Sequence, residues 1–221
     1  MQGLYSVPLL NPLRKTMTPL YKKPRFLLVM LTAFLLTSCA TTNAPSLANE
    51  KFVQWQKDAQ AGKADAQYKL GASYASKQDY VKALEWLQKS ANQGNAPAQN
   101  GLSVMYLKGL GVAKNEAKAL EWLKKSAVQG YPKAEYNLAM LYKKGQVIDK
   151  NEQQAAAWLQ QAALQGDAKA QTDLGVMYES GIGVPQSTAL AIEWLQKAAA
   201  QGNSEAKNRL AGIYAKRINN P

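Results

Sequence analysis

The stretch Ala98-x3-Leu102-Ser103-x2-Tyr106, Gly109-Leu110-Gly111-Val112, Asn115-x3-Ala119-x2-Trp122-x4-Ala127-x2-Gly130 contains two helical signatures joined by a glycine loop. In the first, offsets of four, one and three put Ala98, Leu102, Ser103 and Tyr106 on one helical stripe. The second opens at Asn115, a strong N-cap residue type. It closes at Gly130, where glycine can take the left-handed conformation that ends a helix.

The same pattern recurs on both sides of this stretch. Tryptophans stand at Trp55, Trp86, Trp122, Trp158 and Trp194, 31, 36, 36 and 36 residues apart. The first-helix stripe returns as Ala66, Leu70, Gly71, Tyr74; as Ala134, Leu138, Ala139, Tyr142; as Ala170, Leu174, Gly175, Tyr178; and as Ala206, Leu210, Ala211, Tyr214. The residue after each leucine is Gly, Ser or Ala, small enough for a partner helix to approach closely. The second helix begins at Asp79, Asn115, Asn151 and Ser187, each four residues before an alanine, and its tryptophan is expected to fill the space between two close-packed helices. Glu85 with Lys89, Glu121 with Lys125 and Glu193 with Lys197 form i, i+4 pairs, which mark a solvated outer surface. A two-helix unit of this size cannot bury its own apolar face, so copies must stack.

These residues resemble the Sel-1-like repeat, a relative of the tetratricopeptide repeat with a longer interhelix loop of pattern Gly-x-Gly-Val. That loop is present at Gly109 to Val112 and at Gly181-Ile182-Gly183-Val184. The resemblance covers residues 50–217 and implies an all-α fold, an α-solenoid of stacked two-helix repeats wound as a right-handed superhelix. It predicts a lone second-type helix from Glu50 to Ala61, four helix pairs and a lone capping helix from Glu205 to Arg217, with a tail at 218–221. Two units depart from the pattern. The first is 32 residues long, with Ser76-Lys77-Gln78-Asp79 in place of the loop. The third carries Val147 where the second glycine belongs, and a β-branched residue suits positive φ poorly, so that loop should take another path and alter the stacking locally.

The front of the chain has a different character. Its first 49 residues hold no acidic residue, and Arg14, Lys15, Lys22, Lys23 and Arg25 precede an uncharged apolar run from Phe26 to Leu36. Eleven helical residues span roughly 16 Å, about half of a bilayer's hydrocarbon core, so an export signal is the better reading than a permanent span. Leu36-Thr37-Ser38-Cys39-Ala40 then resembles the lipobox of bacterial lipoproteins, in which the cysteine is acylated and becomes the first residue. The expectation is a signal peptide at 1–38, lipid attachment (palmitate among the acyl chains) at Cys39 and a flexible tether at 39–49. Several chains would hold the protein on a membrane where one gives marginal binding. Resemblance further implies the outer membrane, facing the periplasm, since Ala40 rather than Asp follows the cysteine. Met17 offers an alternative start that leaves an n-region of ordinary length.

Charge and composition narrow the function. The chain carries 27 Lys and Arg against 15 Asp and Glu, and removing the five cations of the signal leaves 22 minus 15, or +7. A basic balance suits anionic lipid, lipopolysaccharide or an acidic protein; an envelope location and the lack of interleaved aromatic and basic residues argue against nucleic acid. With no histidine and Cys39 as the single cysteine, Ser-His and Cys-His nucleophiles and histidine metal sites are excluded. The carboxylates are scattered over helix surfaces, and the glycines follow the repeat instead of a phosphate-loop spacing. The chain therefore reads as no enzyme, with no cofactor and no metal. Cysteine-rich relatives reported to bind or slowly hydrolyse penicillins have a disulfide in each repeat, and this chain lacks that pattern.

In related two-helix repeats the first helix lines the concave face, and the residues between its core positions meet the partner. Carried onto this chain, those positions include Tyr68, Asn100, Val104, Leu107, Tyr136, Met140, Thr172 and Val176, with Lys143 and Lys144 as a basic rim and Glu179 beyond it. They differ between units, unlike the Ala, Leu, Tyr and Trp ladders; the competing reading is that some of them pack against neighbouring helices. Aromatic and Met anchors beside charge favour a protein or peptide ligand. The expected function is an envelope scaffold or adaptor, in a sharper form an immunity protein against a secreted toxin. The alternative is a peptidoglycan-binding or weakly β-lactam-hydrolysing wall factor.

Overall fold

The computed structural model describes residues 47–219, and all ten helices found there belong to one stacked array. The signal, Cys39 and most of the tether lie outside the described residues. The helices are α1 (Leu47–Gln60), α2 (Ala64–Ser76), α3 (Tyr80–Asn92), α4 (Ala96–Lys108), α5 (Glu116–Val128), α6 (Pro132–Lys144), α7 (Glu152–Leu164), α8 (Ala168–Ser180), α9 (Thr188–Ala200) and α10 (Ser204–Asn219). Helix α1 begins three residues before Glu50, inside the stretch assigned to the tether, and α10 runs two residues past Arg217 into the expected tail. Among the described residues there is no strand. Each helix packs chiefly on its neighbours in the chain, and the first helices of consecutive units also touch, α2 with α4 and α4 with α6.

Cap chemistry sets the second helices. The Asp79, Asn115, Asn151 and Ser187 side chains each accept from the backbone N–H three residues on, at 3.2, 2.9, 2.9 and 3.3 Å. All three long loops close on one bond, from Asn115 N–H to Tyr106 C=O, Asn151 to Tyr142 and Ser187 to Tyr178. Gly111 sits at φ 67°, and a Cβ there would press on the Tyr80 carbonyl of the preceding unit. In the third loop Val147 keeps a negative φ, so the path differs there, and the same closing bond forms. The short first turn puts Gln78 at φ 62°, the only non-glycine in the left-handed region among the described residues.

The core differs from expectation at the tryptophans. Trp194 is buried at 7% exposure, but Trp55, Trp86, Trp122 and Trp158 are half-buried. The buried large side chains of the second helices are the leucines one residue on: Leu123, Leu159 and Leu195 are fully enclosed and Leu87 is 3% exposed, and Leu87, Leu123 and Leu159 share core clusters with Leu102, Leu138 and Leu174 of the first helices that follow them. One residue is 100° of helix, and that turn moves the indole from the interface centre to its margin. There Lys89, Lys125 and Lys197 lie 4.3, 4.5 and 4.1 Å over the rings of Trp86, Trp122 and Trp194. The same lysines reach Glu85, Glu121 and Glu193 at 2.7, 2.6 and 2.7 Å.

A buried polar ladder stitches the units together. Gln67, Gln99 and Gln171 donate through Nε2 to the carbonyls of Ala59, Ala91 and Ala163, eight residues back. Their Oε1 atoms accept from Gln93, Gln129 and Gln201 at the end of the following second helix. The third unit has Glu135 in this register, 3% exposed, accepting from Gln165 at 2.9 Å. A carboxylate cannot donate, so the bond to Ala127 C=O has no counterpart here. Burial pushes the Glu135 carboxyl above the usual range, against the smaller opposing effect of Gln165.

Candidate functional site

On the face built by α2, α4, α6 and α8, two positions of each unit meet across the gap to the next. These are the residue two before the ladder leucine (Tyr68, Asn100, Tyr136, Thr172) and the residue one before it (Lys69, Gly101, Asn137, Asp173). Asn137 Nδ2 donates to Asn100 Oδ1 at 2.9 Å, joining α4 and α6. The Tyr136 hydroxyl donates to Asp173 Oδ2 at 3.1 Å, joining α6 and α8. Lys143 Nζ reaches the other oxygen of Asp173 at 3.0 Å, so this lysine of the expected basic rim has its charge matched within the groove. Burial, then the Asp173 charge and hydrogen bond, push the Tyr136 phenol well above its ordinary range.

Between α2 and α4 the corresponding rung is missing, because the partner position of Tyr68 is Gly101. A Cβ at Gly101 would lie 3.3 Å from Leu87 Cδ1, so any longer side chain would spread over that leucine. With none present, a cavity of about 300 Å³ opens. Its floor is Leu87, Met105 and Leu110, its walls are Tyr68, Tyr80, Val104 and Tyr131, and Asn100 and Lys133 stand at its rim. Tyr131 occupies the N-cap position of α6 but makes no side-chain cap bond. Burial and the adjacent Tyr131 push the Tyr68 phenol up, and Lys133 draws it partly back.

The expected groove residues thus fall into separate groups. Tyr68, Asn100 and Val104 come together around the cavity. Tyr136, Thr172 and Asp173 line a second recess of about 510 Å³ with Lys169 and Glu205. Thr172, expected as a partner contact, is 4% exposed there, and its hydroxyl is engaged by Ala168 C=O at 2.7 Å. Met140 packs against the core of the third and fourth units, as does the ring of Tyr136, so packing accounts for these two as the competing reading had it. Leu107 and Val176 are half-buried outside both recesses, and Lys144 is exposed. Glu179 faces α10 instead of the rim, with Arg209 and Lys216 each 3.8 Å away. The reading from sequence missed Gly101, Tyr131, Lys133 and Asp173. Gly101 was detectable as a glycine with no counterpart in register, since Lys69, Asn137, Asp173 and Arg209 hold its place elsewhere. Among the described residues no group of side chains could hold a metal ion, and no helix is long and apolar enough to cross a membrane.

A regular stack of helix pairs with one recessed face defines an α-solenoid repeat protein. The Sel1 repeat family model matches residues 64–95, 96–131, 132–167 and 168–203, and the chain belongs to that family. Its repeats typically mediate protein–protein interaction on a generally non-catalytic scaffold. The chain is similar to a Sel1 repeat protein from Oxalobacter formigenes, 37% identical with a TM-score of 0.69, over 73% of this chain and 48% of that one. It is also similar to a protective antigen present in uropathogenic Escherichia coli strains, 34% identical with a TM-score of 0.70, over 75% of this chain and 36% of that one. The match therefore spans about half of the first relative and about a third of the second. An immunity protein from Pseudomonas aeruginosa shares the fold at 23% identity and a TM-score of 0.51, over 69% of this chain and 58% of that one. No curated protein sequence matches the chain.

Proposed function

We propose that this protein is a non-enzymatic adaptor of the bacterial envelope, lipid-anchored through Cys39, that binds a segment of another protein on the face built by its first helices. The observation that carries the reading is the cavity at Gly101. It is an apolar recess in a face whose next two rungs are closed by hydrogen bonds, and repeat packing does not require it. Recessed apolar surface with a few polar groups at its rim is the form that anchor sites on protein surfaces take. A photo-crosslinking amino acid placed at the exposed Lys69, beside the cavity's Tyr68, in living cells tests the reading. One dominant crosslinked protein is expected, lost when Val104→Glu fills the cavity with charge while the helical spectrum stays unchanged. Crosslinks that are the same in both variants refute the adaptor. Cys39→Ala is expected to move the protein from the membrane to the soluble fraction, and retention on the membrane counts against the anchor. The immunity form of this reading requires that the captured protein be a toxin whose host cells the chain protects.

A second reading, attachment to the cell wall, draws on the recess around Asp173, whose Lys169, Thr172 and Glu205 neighbours suit a saccharide better than an apolar side chain does. Binding to purified sacculi that is lost in Asp173→Ala supports it; no detectable binding at millimolar glycan disposes of it.

A further inference from the structure

The polar groups around the Gly101 cavity are biased toward donation. The Asn100 Oδ1 atom is already engaged by Asn137, which leaves its amide hydrogens for a ligand. The Tyr80 and Tyr131 hydroxyls can each donate, the Tyr68 hydroxyl being turned to Tyr131, and Lys133 carries three donors and a full positive charge. No aspartate or glutamate lines the cavity. In the second recess, by contrast, Asp173 and Glu205 stand beside Lys169 and Tyr136, so the acceptors are built in. No anionic acceptor is built in at Gly101, so the ligand that best matches Lys133 brings its own.

Size and shape limit the rest of the ligand. About 300 Å³ is at the lower end of the range for small-molecule sites, enough for one large side chain and its immediate neighbour. The floor and walls are carbon, from Leu87, Val104, Met105 and the tyrosine rings, so the group that enters must be apolar. The cavity lies on a face that continues along α4 and α6, which allows an extended chain to pass over it.

From these features we infer that the Gly101 cavity holds one aromatic or branched aliphatic side chain of a partner peptide, and that a carboxylate close to that side chain pairs with Lys133. The inference rests on the adaptor reading and specifies its ligand. An adjacent Asp or Glu and a free C-terminus supply the same chemistry, and the test separates them.

Two random-peptide libraries, one displayed with free C-termini and one with both ends blocked, are selected against the full chain in detergent. The expected consensus has Phe, Leu, Ile or Trp beside an acidic residue in the blocked library, or at the terminal position in the free one; whichever library enriches identifies the source of the carboxylate. The consensus peptide is then synthesised and its affinity measured against three variants. Gly101→Asn places in the cavity the residue that the next unit carries in register, Asn137, and should weaken binding at least tenfold with an unchanged thermal melt. Lys133→Gln, at an exposed position, should weaken it three- to tenfold and flatten its salt dependence. Asp173→Asn, in the other recess, should leave it within twofold. A consensus that is basic or lacks an apolar residue, yet still competes at the groove, overturns the inference and leaves the adaptor standing. Failure of both libraries to enrich any peptide over the Gly101→Asn protein overturns the inference and the adaptor together.

Discussion

The two ends of the groove are built from the same register positions and have opposite properties. Around α6 and α8, Tyr136, Asp173 and Lys143 satisfy one another, and the Lys143 and Asp173 charges cancel. Around α2 and α4, a glycine replaces the bonded partner, and an apolar recess lies beside the cationic Lys133 with no carboxylate in its lining. The same helix pair therefore presents a polar recess bridged by hydrogen bonds in one place and an unbridged apolar one in another, and one side chain decides which. In a repeat protein this is the expected location of function, since the ladders that hold neighbours together are fixed by packing and the positions between them are left to vary.

The largest effect that bears on this comparison comes from the floor. Leu159, under the closed half, is wholly buried, and Leu159→Ala is expected to cost about 3–5 kcal/mol as an enclosed cavity. Leu87→Ala removes the same atoms from the wall of an existing cavity, so the space it leaves joins that cavity instead of being sealed in, and its cost should be nearer about 2–3 kcal/mol. Urea unfolding of the two variants checks the difference. Equal losses would mean that the cavity is closed in solution and that the two halves do not differ in kind.

A smaller effect follows from moving the opening by one unit. Asn137→Gly removes the bond to Asn100, worth about 0.5–1.5 kcal/mol, and adds a few tenths of a kcal/mol in helix propensity. The expected loss is about 1–2 kcal/mol, together with a second recess beside α4 that a small apolar probe such as xenon should enter in a crystal. If stability falls without a new recess, the rung matters for packing alone.

The repeat, the cap residues and the ladder leucines were legible because each is a periodic consequence of stacking, and periodicity can be seen in one sequence. Gly101 was harder to interpret because its importance lies in an absent side chain, opposite a tyrosine 33 residues away in sequence. The tryptophans show a different limit. Their spacing correctly marked the units, but spacing cannot tell a residue at an interface centre from one at its margin, 100° further round the helix. Lys143 was read as a free rim charge because its partner, Asp173, belongs to the next unit, and a pairing between units leaves no local signature.

The smallest effect concerns Glu135, which lies in α6 between the two halves and is the single member of the buried glutamine ladder that cannot donate. Its neighbours give it no cation: Gln165 from α7 bonds it, and no ion pair to it occurs among the described residues. Its carboxyl is raised by burial, so the folded state holds the proton more tightly than the unfolded chain does. The associated stability is then fully present below about pH 4, where a free glutamate is protonated, and is lost as pH rises through the folded-state value. Glu135→Gln supplies the missing donor to Ala127 C=O without needing a proton. It should raise stability at neutral pH by about 0.5–1.5 kcal/mol and remove that part of the pH dependence, with peptide affinity at Gly101 unchanged. Melts at pH 4 and pH 7 read both effects at once. A variant no more stable than wild type at pH 7 would show that water or a shifted backbone already serves the Ala127 carbonyl. A change in affinity would show that α6 transmits strain from the ladder to the cavity, and the two halves would then have to be treated as one site.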